Sequence, residues 1–405
     1  IRHRVAEARI LATSLTIGAG GSAGYEGPVA QMGASLGSTV GQLFHFSEER
    51  MRTLVAAGAA AGIAAVFNAP IAGTIFAMEV VLNSFNVRYF GAVVISAVAA
   101  SVVSDVLYYN QDPLVVPAYP LHHVGEIPIY ALLGILSALF AILFIRVFYG
   151  TERLFDKLRV PIPFKTALGM ILVGLLAIQI PEVSVLGGGL ENISLIISAN
   201  VPHEVTILAV VLVGKLVATS LTLGSGNSGG VFAPSLFMGA ILGGIVGLIA
   251  NRLFPEIAVN PGAYAIVGAA AVFAGAARGP ITAVLIVFEM SGDYQLILPL
   301  MTATVLSAWL AESIMSDSIY TRTLSKKGIT LQSGRDMDIM EGVTVAEVMK
   351  KEVETVPHDM TIGALSDRLV HSHSHGFPIL DDDGRLAGIV ALADLDRALV
   401  NDLPQ

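Results

Sequence analysis

Two short loops carry the residues best suited to chemistry. Gly20–Pro28 reads GGSAGYEGP and Gly224–Pro234 reads GSGNSGGVFAP; each is rich in glycine, ends in proline and runs into small and apolar residues. Glycine lets the backbone approach a ligand and aim consecutive N–H groups at one point, and proline is tolerated in the first turn of a following helix. Those first N–H groups have no intrahelical partner. With the positive end of the helix dipole they form an anion site that needs no Lys or Arg. A site without a full countercharge suits an ion that must leave as readily as it arrives. Small residues would equally allow close helix packing, but two loops in register, each ending in proline, favour the anion reading.

Glu26 lies in the first loop where Phe232 lies in the second. An ionisable residue at membrane depth is costly and points to function. A carboxylate beside helix N-termini can occupy the anion site itself and leave it on protonation or on displacement by an incoming anion, which makes a gate. It can also act as a plain helix cap, and the two roles are compatible in different states.

The elements that must position these loops form an internal repeat. Leu15–Gly37 matches Leu221–Gly243 without a gap at an offset of 206, with Gly18/Gly224, Ser22/Ser228, Gly24/Gly230, Pro28/Pro234 and Gly33/Gly239 among the identities. A second pair follows at an offset of 210, in which Pro70 meets Pro280 and Glu79 meets Glu289. Glycine- and proline-interrupted apolar segments at matching places in two halves point to a substrate site between the halves, near the bilayer midplane. The repeat alone leaves open whether the copies are parallel or inverted. Glu79 and Glu289 fit either proton relays or a repeated capping role.

Composition agrees with a membrane body. Of 405 residues 54% are hydrophobic and 14% charged, far more apolar than a soluble core requires. Gly91–Leu107, Tyr130–Phe148 and Val205–Leu223 are long enough to cross a hydrocarbon layer of about 30 Å. Ile71–Leu82 and Leu236–Leu248 read instead as half-helices buried in protein. Residues 335–405 hold 14 acids and 6 bases, a net charge of −8, against −1 for residues 1–334. That acidic tail argues against nucleic acid or an anionic membrane surface as its partner. There is no cysteine, which excludes disulfides and thiolate metal sites. No signal peptide stands at the start, and Ile1 opens a charged stretch without Met, so the natural amino terminus is expected upstream. Lys215 and Arg278 could attract anions, although a long cation near a helix end usually snorkels or pairs.

These residues resemble the CLC chloride channel and transporter family over essentially all of residues 1–330. Gly24–Pro28, GYEGP, is similar to the family's GREGP loop, with Tyr25 in place of the usual Arg; Gly230–Pro234, GVFAP, is similar to its GxFxP loop. The resemblance implies a gating role for Glu26 and an anion path along Gly24, Tyr25, Gly27, Gly230, Val231, Phe232 and Ala233. Tyr320 resembles the tyrosine whose hydroxyl closes the intracellular side. The family's GSGIP loop has no counterpart here. Val80 stands where the family's proton-coupled exchangers usually carry a proton-transferring glutamate, which favours a voltage- or pH-gated chloride channel, with a chloride/proton antiporter as the alternative. A fluoride-selective relative fits less well with Phe232 and the tail. The resemblance further implies inverted repeats, one pore per subunit, a homodimer in the lipid bilayer, and no cofactor beyond chloride as substrate. An embedded enzyme or receptor would need a nucleophile–base or metal constellation, and none recurs in the repeated loops, so no enzymatic role is expected.

Beyond Tyr320 the hydropathy falls. Residues 331–342 read as a linker, and 343–405 as helix, strand, helix, two strands about a DDDG turn, and helix, which resembles the first motif of a CBS domain, cytoplasmic by that resemblance. In the family such a pair binds adenine nucleotide near an Asp like Asp394, but Ala391 replaces the usual Thr. The HSHSH run at 371–375 could suggest a metal; loop histidines are the plainer reading, since the sequence offers no carboxylate or Cys partner. The expected architecture is thus an all-α membrane protein, an inverted-repeat bundle with broken helices at 1–330, followed by a small α/β CBS motif.

Overall fold

A computed structural model describes residues 4–108, 119, 123–181, 183–197, 204–326, 349, 353–372, 376–392 and 394. It divides into two compact units, 1–334 and 335–405.

The first unit is helical. Its helices are α1 (Arg4–Gly18), α2 (Glu26–Leu43), α3 (Glu48–Phe67), α4 (Pro70–Phe76, continued by a π-helical turn Ala77–Val81) and α5 (Val87–Tyr108). Then come α6 (Glu126–Lys157), α7 (Ile162–Gln179), α8 (Leu190–Ile197), α9 (Val205–Gly224), α10 (Phe232–Leu253), α11 (Pro261–Ala277), α12 (Pro280–Ser291), α13 (Ile297–Ile314) and α14 (Arg322–Ser325). Seven of the described helices are long and apolar enough to cross a membrane, while Pro70–Val81, Pro261–Ala277 and Pro280–Ser291 are shorter apolar helices. The internal repeat maps α1–α5 onto α9–α13.

The same punctuation builds both copies. Asn68 ends α3 and Arg278 ends α11, each in the left-handed conformation, with φ of 50° and 61°. Two residues later a proline opens the next helix, at Pro70 and Pro280. A left-handed C-terminal residue followed by a helix-starting proline ends one helix and starts the next within two residues. Small residues then let helices touch. A Cβ on Gly33 would run into the carbonyl of Gly58, and one on Gly239 into the carbonyl of Gly268. Both pairs obey the repeat, so α2 packs on α3 as α10 packs on α11.

One expectation about length fails. Leu236–Leu248 is the middle of α10, which has 22 residues, and not a separate half-helix. Its glycines read as breaks, yet each faces another helix closely enough that packing outweighs their poor helix propensity. The expectation that it is buried in protein holds, with 78% of its span inside.

The halves meet through a short antiparallel bridge. Gly24 N–H donates to the Gly230 carbonyl at 2.9 Å and Gly230 N–H donates back at 2.6 Å. Around this bridge the polar contacts repeat in mirrored pairs. Ser22 Oγ lies 3.0 Å from Thr219 Oγ1, and Ser228 Oγ lies 2.9 Å from Thr13 Oγ1, the same contact under the 206 offset.

In the second unit, β1 (Val356–Pro357) pairs parallel with β2 (Gly376–Leu380), which pairs antiparallel with β3 (Leu386–Ala391). An amphipathic helix, α15 (Ile362–His371), joins β1 to β2 and closes a core of Val356, Leu365, Leu369 and Phe377. The DDDG turn forms as expected: Asp381 Oδ1 accepts from the amides of Asp383 and Arg385, and Gly384 has φ of 75°. The linker, the two helices expected at the ends of this unit, and His373 and His375 lie outside the described residues.

Candidate functional site

The bridge sets two helix N-termini back to back. Glu26 is the first residue of α2 and Phe232 the first of α10, with Tyr25 and Val231 preceding them. Since Gly24 and Gly230 spend their amides on each other, neither N–H is available to an anion while the bridge holds. The amides of the first turns, at Gly27, Val231, Phe232 and Ala233, are of the kind that lack intrahelical partners, and that of Ala233 acts on the Glu26 carboxylate. Gly27 packs closely on Gly230, with an added Cβ falling 3.3 Å from the Gly230 Cα.

Glu26 is completely buried. The amides acting on its carboxylate are its own and that of Ala233, yet neither oxygen has a hydrogen-bond partner of ordinary geometry. The side chain folds back over Gly24, where any Cβ would collide with its Oε2. A buried carboxylate is strongly disfavoured unless it is hydrogen-bonded, and this one lies at the α10 N-terminus, beside the Ala233 amide, without such a bond. On the other side Phe232 is locked: its ring packs on Phe273 at 4.2 Å, Phe67 at 5.0 Å and Phe76 at 6.3 Å.

Glu26 and the half-exposed Tyr25 line a cleft of about 1300 Å³ whose wall includes Asn68, Gly188 and Glu191. Tyr320 follows α13, and the Glu26 charge reaches it. Its segment is pinned to α6: Tyr149 Oη donates to the Ile319 carbonyl at 2.8 Å, and Arg322 and Lys326 lie over the Tyr149 ring.

Glu79 and Glu289 are exchanged helix caps. Glu79 accepts from the amides of Ile281 and Thr282 at 3.1 and 2.8 Å, and Glu289 from those of Ile71 and Ala72 at 3.0 and 2.6 Å. Each half thus satisfies the open N-terminus of a short helix in the other half, α12 by Glu79 and α4 by Glu289. Of the two roles open from sequence, this is the capping one. Val80, next to Glu79, packs partly buried against the core beside Gly279.

Arg278 closes a helix end rather than facing the anion site; its guanidinium donates to the carbonyls of Gly275, Ala311 and Met315. Lys215 does more than a snorkelling lysine could. Fully buried in mid-α9, it donates to the carbonyls of Val185, Leu186 and Gly187 at 3.1, 3.3 and 2.7 Å, and its charge acts on Glu26. The signal in the sequence is its offset of 206 from Arg9, which the repeat alignment, begun at Leu15, does not reach. In the second unit Asp394 accepts from the Ala391 amide at 3.0 Å, a local turn contact. Among the described residues there is no group of three or more His, Cys, Asp or Glu that could hold a metal.

Comparison with known proteins agrees with this geometry. Residues 1–312 match the family model described as voltage gated chloride channel, and residues 345–401 match the CBS domain model. The chain is 32% identical, over 97% of its length, to chloride channel protein CLC-f of Arabidopsis thaliana, and spans 57% of that protein. It is 36% identical, over 76% of its length, to the H(+)/Cl(-) exchange transporter ClcA of Vibrio cholerae, and spans 67% of it. Among solved structures it is similar to a slow cyanobacterial Cl-/H+ antiporter, with a TM-score of 0.73 and 27% identity, covering 81% of this chain and 77% of that one. It is also similar to a CLC-type fluoride/proton antiporter, with a TM-score of 0.64 and 25% identity, covering 74% and 72%. The chain is an integral membrane protein and belongs to the voltage-gated chloride channel family, with a CBS domain following its membrane body.

Proposed function

We propose that this chain moves chloride across a membrane in exchange for protons, with Glu26 as the group that alternately occupies the anion site and carries the proton. One observation bears most of the weight: a fully buried carboxylate without a hydrogen-bond partner, set between two helix N-termini. Deprotonated, it takes the place of an anion at the first turn of α10. Protonated or displaced, it vacates that place, and the amides of Val231, Phe232 and Ala233 receive chloride. Tyr320 bounds the path on the inner side. The names of the relatives, three of the four proton-coupled exchangers, favour exchange over the gated channel expected from sequence. A homodimer with one path per subunit, and a cytoplasmic CBS unit, belong to the same proposal.

Val80 supports a second reading, passive conduction, since valine binds no proton. The two separate in reconstituted vesicles under a chloride gradient. Exchange predicts proton movement in fixed proportion to chloride, abolished by Glu26→Gln while chloride movement persists. Chloride flux with no proton movement in the parent chain selects the channel. If Glu26→Gln leaves both rate and pH dependence unaltered, Glu26 is not the gate under either reading.

A further inference from the structure

Lys215 is the one fully buried basic side chain among the described residues. Its ammonium sits over the Phe237 ring at 5.2 Å, and its donors are spent on three carbonyls of Val185–Gly187. No carboxylate pairs with it among the described residues. The segment it grips is part of the site. Gly187 N–H donates to the Gly21 carbonyl in the first loop at 3.0 Å. Gly188 abuts the junction, an added Cβ falling 3.1 Å from Ala233 Cβ and 3.8 Å from Gly24 Cα. Gly189, at φ of 93°, presses on Phe237, with 2.7 Å between an added Cβ and the ring. The lysine, the glycines at 187–189, Ala233 and Glu26 therefore form one contiguous assembly.

Carbonyl dipoles stabilise an ammonium but do not cancel its charge. A buried charge normally finds a counterion, and here the carboxylate whose charge acts on Lys215 is that of Glu26. When Glu26 swings out or is protonated, an anion in the vacated place inherits that partner. The other groups facing Glu26 are Tyr25 in its own loop, Tyr320 after α13, and Glu191 of α8 across the cleft. Only Lys215 among them is cationic.

We propose that Lys215 is a positioning residue for anion translocation: it clamps the Val185–Gly189 segment against the Glu26 loop and supplies the fixed positive charge that holds whichever anion, carboxylate or chloride, occupies the junction. This rests on the reading of Glu26 as the gate, and the two can fail separately.

The test uses the full chain in vesicles, with chloride flux measured against chloride concentration and against pH. Lys215→Met removes charge and donors, Lys215→Gln keeps N–H donors for the carbonyls and guards against misfolding, and Lys215→Arg keeps the charge. Both neutral variants are expected to raise the chloride concentration for half-maximal flux by about tenfold, the scale of a single charge interaction in a partly screened interior. They should also move the pH midpoint of transport upward, because a carboxylate without a nearby cation holds its proton longer, and Lys215→Arg should restore both values. With Glu26→Gln in the background, the pH effect should vanish while the weakened chloride dependence remains. If the neutral variants lower only the maximal flux, in proportion to folded protein, with half-saturation and pH midpoint unmoved, Lys215 is merely structural and the proposal falls. A pH dependence untouched by Glu26→Gln alone would instead remove the gate reading.

Discussion

The two halves obey one operator almost everywhere and depart from it at the loop residue that matters. Position for position, the glycine bridge, the serine–threonine contacts, the glycine-packed helices and the glutamate caps are shared. Glu26 and Phe232 are not: one side chain is buried without a partner, the other is wedged among three rings. Symmetry supplies a rigid, reciprocal frame, and a single broken pair places a movable charge inside it. Lesser departures follow the same logic. Asn68 donates to Asp105 at 2.8 Å where its counterpart Arg278 takes the carbonyls of Ala311 and Met315. Arg9 donates to Ser228 at 3.2 Å where Lys215 is fully enclosed.

The comparison can be broken most forcefully at the unequal pair. Glu26→Gln should remove the pH dependence of transport altogether, whereas Phe232→Leu should retain it, as proton and chloride fluxes in vesicles would record. Phe232→Ala is expected to destabilise the fold by about 3–5 kcal/mol, the usual cost of emptying an aromatic site. Gly33→Ala and Gly239→Ala probe the shared frame and should each lose about 1–3 kcal/mol by overpacking, with nearly equal shifts in thermal unfolding in detergent. Unequal shifts would mean that the halves differ in rigidity as well as in gating. Removing a cap is milder. Glu79→Ala and Glu289→Ala should each cost about 0.5–2 kcal/mol, the first more, because Thr282 Oγ1 adds a third contact to Glu79 at 2.6 Å while Ala72 has no hydroxyl to give Glu289. Smallest of all, Thr13→Val and Thr219→Val should match within a few tenths of a kcal/mol of one another, each losing a single hydrogen bond worth about 1 kcal/mol.

Much of this frame was legible in the sequence because symmetry writes itself twice. The 206 offset, the two proline-ended loops and the singular Glu26 needed no coordinates, and the DDDG turn of the second unit declared itself by composition. What stayed hidden depends on which groups meet across the halves. Gly24 and Gly230 look like free amide donors until the bridge is seen to consume both. Glu79 and Glu289 could have been relays until each was found on the other half's helix. The glycines of α10 signalled a break because propensity is local, whereas the contact with α11 that keeps the helix intact is not. Lys215 reads on general grounds as a snorkelling or paired cation, and its complete burial overrides that reading.

The exchanged caps also bear on how such a chain can be made. Synthesis proceeds from the amino end, so the carboxylate of Glu79 and the open amides of Ile71 and Ala72 enter the membrane long before residues 281, 282 and 289 exist to meet them. In hydrocarbon each unsatisfied polar group costs several kcal/mol. Until the second copy is made, the carboxylate and amides of the first lack the partners they hold in the finished fold. Each half is thus capped by its own repetition.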